Sequence, residues 1–223
     1  MIAEENLYNK SNPQISIPNT NIILLISKLM KSVVPHFKSY VVSDFYQKRK
    51  LNEDDFTQIY IEQAQILIRK YDYPFNINGQ YRDITNLSKG FSDFYFYPNE
   101  QNVSTSSLFS VESKRLPSPE KSREKEYVIG DNNNGGIERY KTEKHGKGIN
   151  ECGLLGFVEK ENSNHWMTTI NQWIKELAQT DKNWKNDEFL SELESNADFS
   201  YLGSTAHREN GDVDLTHLWV IVN

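Results

Sequence analysis

The sequence predicts an α/β fold, a mixed central sheet flanked by helices, and three patterns carry that reading. Residues 93–97 and 108–116 alternate apolar with polar side chains, the period of a half-buried strand. Residues 53–70 and 163–179 place apolar residues three and four apart, the period of a helix with one buried face. Along the chain the elements run helix, strand, strand, helix, strand, helix, strand, strand, an order that layers helices over a sheet.

In chain order, residues 1–18 are polar, contain Pro13 and Pro18, and read as a loose arm. A helix fits Asn21 to Val34, with Ile22, Leu25, Ile26 and Leu29 toward the core and Pro35 expected to stop it. Residues 1–50 are thus a tail and a helical addition, and 51–223 the α/β domain. A second helix fits Glu53 to Lys70. Asn52 caps it, Asp55 supports its first turn, and Phe56, Ile59, Tyr60, Gln63 and Leu67 recur at helical spacing. The Tyr- and Asn-rich connection after it has room for a short strand at 76–82. Two strands follow, joined by a hairpin loop that begins at Pro98. Residues 117–135 read as a long polar loop, and such a length without structure points to a mobile, functional segment. Residues 136–145 suit a short helix closed by Gly146, and 151–159 a buried strand. Asn162 or Ser163 caps the next helix, whose stripe of Trp166, Ile170, Trp173 and Leu177 is core packing. Residues 180–197 are acidic and partly helical, and a last hairpin over 200–222 turns at Asn210-Gly211.

Composition narrows the function. Hydrophobic residues are 37% and charged residues 25% of 223, which describes a globular chain and not a disordered one. The single cysteine, Cys152, excludes an intramolecular disulfide and fits a reducing compartment. The longest apolar run, Ile22 to Ile26, falls well short of the roughly 20 residues that span a bilayer. Glu4 and Glu5 replace a basic leader, so a cytoplasmic protein with no membrane partner is expected. A net charge of −6 argues against a nonspecific nucleic-acid coat. Between Lys114 and Gly148, however, nine Lys/Arg stand against six Asp/Glu, a balance that permits local phosphate contact.

One constellation carries chemistry. Asp93 lies on the first of the two central strands and Glu112-Ser113-Lys114 on the second. Residues i and i+2 of a strand share a face, so Glu112 and Lys114 project together. Phe94, Phe96, Phe109 and Val111 then form a core face, with Asp93, Glu112 and Lys114 on the other. If Tyr97 faces Leu108, Asp93 falls opposite Glu112, and directly opposed β-carbons are about 4.5–5.5 Å apart. Two carboxylates that close repel unless a cation intervenes, and Mg²⁺ or Mn²⁺ prefers such oxygen ligands. Asp93 and Glu112 would hold it, with the Ser113 carbonyl completing the set and Lys114 adding positive charge beside it. The competing reading is a solvated, salt-bridged strand face. The five histidines show no zinc spacing, and a lone cysteine excludes a Cys-based zinc site.

The arrangement of Asp93, then Glu112-Ser113-Lys114, with a helix before and a helix after, resembles the PD-(D/E)xK phosphodiesterase superfamily, which includes many restriction endonucleases and repair nucleases. Ser92 replaces the usual proline before the aspartate. The stretch from Lys125-Glu126-Tyr127-Val128 through Leu154-Leu155-Gly156 is also similar to uncharacterised bacterial nuclease-type proteins. The resemblance implies a restriction-endonuclease-like sheet and Mg²⁺-dependent (or Mn²⁺-dependent) hydrolysis of DNA, in restriction, phage defence or repair. It also implies an acid from the preceding helix, for which Glu62 is the match, and a basic residue from the following helix, for which Arg139 is the match. Arg115, Lys141, His207 and Arg208 join Arg139 as expected phosphate contacts. The alternatives are an inactive nuclease-fold module that binds nucleic acid or a protein partner, and an RNA-directed nuclease. A homodimer is compatible with either. Read this way, Lys114→Ala should spare thermal stability, and Glu112→Ala should raise it by relieving carboxylate repulsion.

Overall fold

A computed structural model describes residues 19–43, 49–82, 90–104 and 106–223, so the arm expected at 1–18 lies outside the described residues. The chain forms α1 (Asn19–Val41), α2 (Glu53–Tyr71), β1 (Phe75–Arg82), β2 (Phe91–Pro98) and β3 (Phe109–Leu116). Next come α3 (Gly136–Lys141), β4 (Glu151–Val158), α4 (Ser163–Thr180), β5 (Ser191–Ser195), β6 (Phe199–Ala206) and β7 (Val213–Ile221). The described strands make one seven-stranded sheet in the order β1-β2-β3-β4-β7-β6-β5. Strands β3, β4 and β7 run parallel, and every other neighbouring pair is antiparallel, so the sheet is mixed.

Each face of the sheet holds its own core. On one, α1 and α2 pack Ile26, Met30, Phe37, Tyr60 and Leu67 against Phe94, Phe96, Phe109 and Val111. On the other, α3 and α4 pack Ile137, Tyr140, Trp166, Ile170 and Trp173 against Leu154, Val158 and Trp219. The alternation of β2 and β3 therefore sorts their side chains as the sequence predicts. Strand β4 is buried along nearly its whole length, as a parallel strand covered on both sides must be. Helix α2 begins with the reciprocal cap of Asn52 and Asp55, each accepting the other's backbone N–H at 2.9 Å.

Four segments depart from expectation. Pro35 does not end α1, which continues to Val41. Val34 and Phe37, on either side of it, are fully buried, and their packing outweighs the one helical hydrogen bond that proline forfeits. Residues 191–195 form a bulged edge strand, β5, inside the stretch expected to be partly helical. The Asn210-Gly211 turn does join a hairpin, but through a six-residue connection, 207–212, that Arg208 crosses by donating to the Gly211 carbonyl. The segment 117–135 is not a free loop. It carries a 3₁₀ turn at Lys121–Arg123, and Tyr127 and Val128 are buried in the second core.

A buried polar chain anchors that segment. The Trp219 indole can only donate, and it donates to the Tyr127 hydroxyl at 2.8 Å. The hydroxyl must then give its own proton to His217 Nδ1, 2.9 Å away. His217 is left with its proton on Nε2, directed at Ser204 Oγ at 2.9 Å. Burial holds the His217 pKa down to about 3, which matches a neutral ring. Tyr127→Phe strands the Trp219 N–H and His217 Nδ1 in the core, and should lower stability by about 1–3 kcal/mol in chemical denaturation. No loss would mean that the chain is dispensable.

Candidate active site

The register of β2 and β3 pairs Phe94 with Val111, Tyr95 with Ser110 and Phe96 with Phe109. Beyond Phe94 and Val111 the ladder stops and the two strands part, with Asp93 and Glu112 the next residues on each. Strand β3 keeps β4 on its other side through Leu116, so only its β2 side is opened. The amides on that side find carboxylates in place of a strand. Asp93 Oδ2 accepts the Ser113 N–H at 2.6 Å, and Glu53 Oε2 accepts the Arg115 N–H at 2.9 Å. The parting of the strands leaves a notch, with an acid from β2 and another from the first residue of α2 at its rim.

Glu112 lies at the bottom with no exposed surface. A buried carboxylate survives as an anion only if cations surround it. Lys114 Nζ donates to its Oε1 at 2.8 Å, and Arg139 Nη1 donates to the same oxygen. His145 Nδ1 approaches Oε2 to 3.1 Å without the alignment of a hydrogen bond, so both atoms are buried without a hydrogen-bond partner among the described residues. Burial alone would raise the Glu112 pKa, but Lys114, His145 and Arg139 together hold it down at about 2. Burial keeps His145 below its ordinary value despite the opposing pull of Glu112. Asp93 goes the other way. Burial and the charge of Glu112 push it up to about 7, against the opposing pull of Lys114 and the Ser113 N–H. Glu53 is likewise raised, chiefly by burial.

Close backbone approaches put the cations in place. At Gly135, just before α3, a Cβ would come within 2.3 Å of Ile129 Cα, so only glycine lets α3 sit low enough for Arg139 to reach Glu112. At Gly90 a Cβ would meet the His145 ring at 2.4 Å. Arg139 also lines a cleft of about 730 Å³ whose wall mixes the bases Lys121, Arg123 and Lys125 with the acids Glu124, Glu126 and Asp131, and Arg123 and Lys125 are paired with Glu126 and Glu176.

The structure thus brings Asp93, Glu112, Ser113, Lys114 and Arg139 together, and a solvated strand face is excluded, because Lys114 retains only 4% exposure. Several expected participants lie elsewhere. Glu62 is exposed on α2 and accepts a hydrogen bond from Gln58, so the acid that the preceding helix brings to the notch is Glu53. Arg115 points away to a two-pronged pair with Glu159. Lys141 is buried against Glu188 and over the Trp184 ring. His207 sits between Asp187 and Asp212, and Arg208 donates to the carbonyls of Gly146, Ile149, Gly211 and Asp212. These groups hold the β6–β7 connection to its neighbours and are not free for phosphate. Glu53 and His145 are the site residues that sequence reading misses.

Compared with protein-family models, curated proteins and solved structures, the chain has no match. Its own side chains are the ground for assigning a function. Asp93, Glu112, Glu53 and the Ser113 carbonyl are hard oxygen donors of the kind a divalent cation takes, and Glu112 Oε2 makes no hydrogen bond although His145 Nδ1 lies 3.1 Å from it. Among the described residues, no three His, Cys, Asp or Glu side chains already converge as a metal cage. No helix among them is long and apolar enough to cross a membrane.

Burial reverses the stability expectations for this site. Lys114→Ala removes a partner from a fully buried carboxylate, and Glu112→Ala strands Lys114 and Arg139 together. Each should lower stability, by up to about 3–5 kcal/mol, in denaturant unfolding. An unchanged midpoint for either would contradict the buried cluster. Asp93 supplies a pH test. It binds its proton more tightly in the fold than in the unfolded chain, where its ordinary value is 3.8. Its contribution to stability is therefore complete below that value and is lost as the pH rises to about 7. Asp93→Asn keeps the neutral form. Its melting temperature should gain on wild type between about pH 5 and about pH 8 in metal-free buffer. A flat difference would show that Asp93 titrates normally.

Proposed function

We propose that this chain is a metal-dependent phosphodiesterase, a nuclease acting on DNA. The observation that carries the reading is Glu112, a fully buried carboxylate with one orphaned oxygen, beside two further acids and a lysine where two strands part. The parts on which the PD-(D/E)xK resemblance rests also occur in the order it requires. They are a helix, an Asp on one strand, Glu-x-Lys on its antiparallel neighbour, and a helix beyond.

Asp93, Glu112, Glu53 and the Ser113 carbonyl are the groups that would hold the ion. A bound Mg²⁺ or Mn²⁺ supplies a water of lowered pKa and polarises the phosphoryl oxygen. Asp93 can join only when ionised. Lys114 offers a positive charge on the same strand face as Glu112, where it can stabilise charge that grows on the phosphate in the transition state. Arg139 holds Glu112 in place and lines the cleft, where Lys121 adds positive charge and Arg123 and Lys125 could meet a phosphate backbone by exchanging their present partners Glu126 and Glu176. The sheet provides rigidity. Glu112, Ser113 and Lys114 stand on β3 where it is paired with β4, and Asp93 is tied to them by accepting the Ser113 N–H.

Incubation of the purified protein with plasmid, linear DNA and RNA, each with Mg²⁺ or Mn²⁺, tests the assignment. DNA should be cut and chelation should stop the reaction. At a temperature where each variant is folded, Glu112→Gln should abolish cleavage and Lys114→Ala should slow it about 10²–10³-fold. Cleavage of RNA alone would move the substrate class. Wild-type rates in Lys114→Ala would remove the active-site assignment, and no cleavage under any condition would leave a binding module.

A further inference from the structure

Lys114 is held in a way that the proposed chemistry does not require. Its ammonium carries three N–H groups. One donates to Glu112 Oε1 at 2.8 Å and one to the Ser113 carbonyl at 2.9 Å. Glu53 Oε1 stands 3.6 Å from the same nitrogen. The side chain is 5% exposed, so its donors are turned toward protein oxygens and away from solvent. Glu112, Ser113 and Glu53 are also the oxygens from which a divalent ion would be bound. Where a metal ion belongs, the protein already has a cation of its own.

We infer that the Lys114 ammonium is the resident cation of this site, and that a divalent ion enters by displacing it from Glu112 and Ser113. The inference rests on the nuclease reading and deepens it. The exchange is one of contacts only. The lysine keeps its proton and its charge, loses its oxygen partners to the ion, and leaves with its N–H groups free for the scissile phosphate. Metal binding thereby becomes the step that arms the lysine. Without the ion the carboxylates are neutralised internally and the lysine is spent on them, so the resting protein is both stable and inert. Arg139 differs. It donates to Glu112 Oε1 and forms no hydrogen bond or ion pair with Ser113 or Glu53 among the described residues, so it balances charge without filling the position.

That difference separates displacement from simple repulsion. Mg²⁺ and Mn²⁺ binding, measured by calorimetry without nucleic acid, should be tighter in Lys114→Met than in wild type. The expected gain is about 10–100-fold, the range over which neighbours of a metal site tune affinity. Arg139→Met removes the same charge from the same oxygen and should gain markedly less. Equal gains in the two variants, or no gain in Lys114→Met, would overturn displacement in favour of plain electrostatics. Wild-type protein with ¹⁵N-labelled lysine provides a test that does not depend on a variant folding. The caged ammonium should give a slowly exchanging N–H signal that is lost as Mg²⁺ saturates the site. Persistence of that signal with metal bound would refute the inference while leaving the nuclease reading intact. If neither wild type nor the variants bind either ion, the nuclease reading fails, and the displacement falls with it.

Discussion

A carboxylate with no exposed surface is among the most expensive groups a fold can contain, and the second face of this sheet is arranged around one. Removing an ion from water costs several kcal/mol even after relaxation, and attraction to partners recovers it only with close geometry. Glu112 has that geometry. Lys114 comes from two residues along its own strand, Arg139 from α3, and His145 from the turn beyond α3. The rest follows from the need to bring these elements close. Gly135 lets α3 descend toward the sheet, Gly90 leaves room for the imidazole, and the 117–135 segment is threaded through the core by Tyr127 so that α3 has a floor to rest on.

The opening between β2 and β3 is the complementary feature. A sheet seldom gives up its ladder inside a domain, because each abandoned amide must find another acceptor. Here the Ser113 and Arg115 amides take Asp93 and Glu53. The acids therefore do two jobs at once. They complete the backbone hydrogen bonding of β3, and they line the notch above Glu112. That double role offsets part of the cost of placing three carboxylates so close together. Asp93 escapes part of the repulsion by holding its proton up to about pH 7, and Glu112 is balanced by Lys114 and Arg139.

Much of this was legible beforehand. Period-two alternation sorted Phe94, Phe96, Phe109 and Val111 from Asp93, Glu112 and Lys114, because a strand has only two faces. The same count from Tyr97 and Leu108 set the register that the structure shows. What escaped was whatever depends on direction in three dimensions. Glu53 stands with Asp54 and Asp55 in the first turn of α2, where acids are ordinary partners of the helix dipole, so nothing distinguished it. His145 is a lone histidine among lysines and glycines, with no spacing signal. Glu62 lies on the right helix, but helix faces turn by about 100° per residue, and its own face looks to solvent. Lys141, His207 and Arg208 are expected from sequence as phosphate contacts, but the structure spends them on internal partners. A basic side chain near a turn serves equally to hold carbonyls or a buried acid, and composition does not separate the two uses.

The position of β7 has a consequence for how the molecule comes to exist. It is the last strand in sequence, yet it lies inside the sheet between β4 and β6. Until residues 213–221 leave the ribosome, β4 has one bare edge, and β5 and β6 have no sheet to join. Strand β4 is almost wholly apolar, so a nascent chain arrested before that point presents a sticky, unpaired border. Helix α1 packs first against α2, and its Lys31, Lys38 and Ser27 gain Glu194, Asp198 and Tyr201 only when the distant strands arrive. The molecule therefore closes in a late step that joins distant parts of the chain. Such long-range closure is slow, and shortened products of the same gene would be prone to clump.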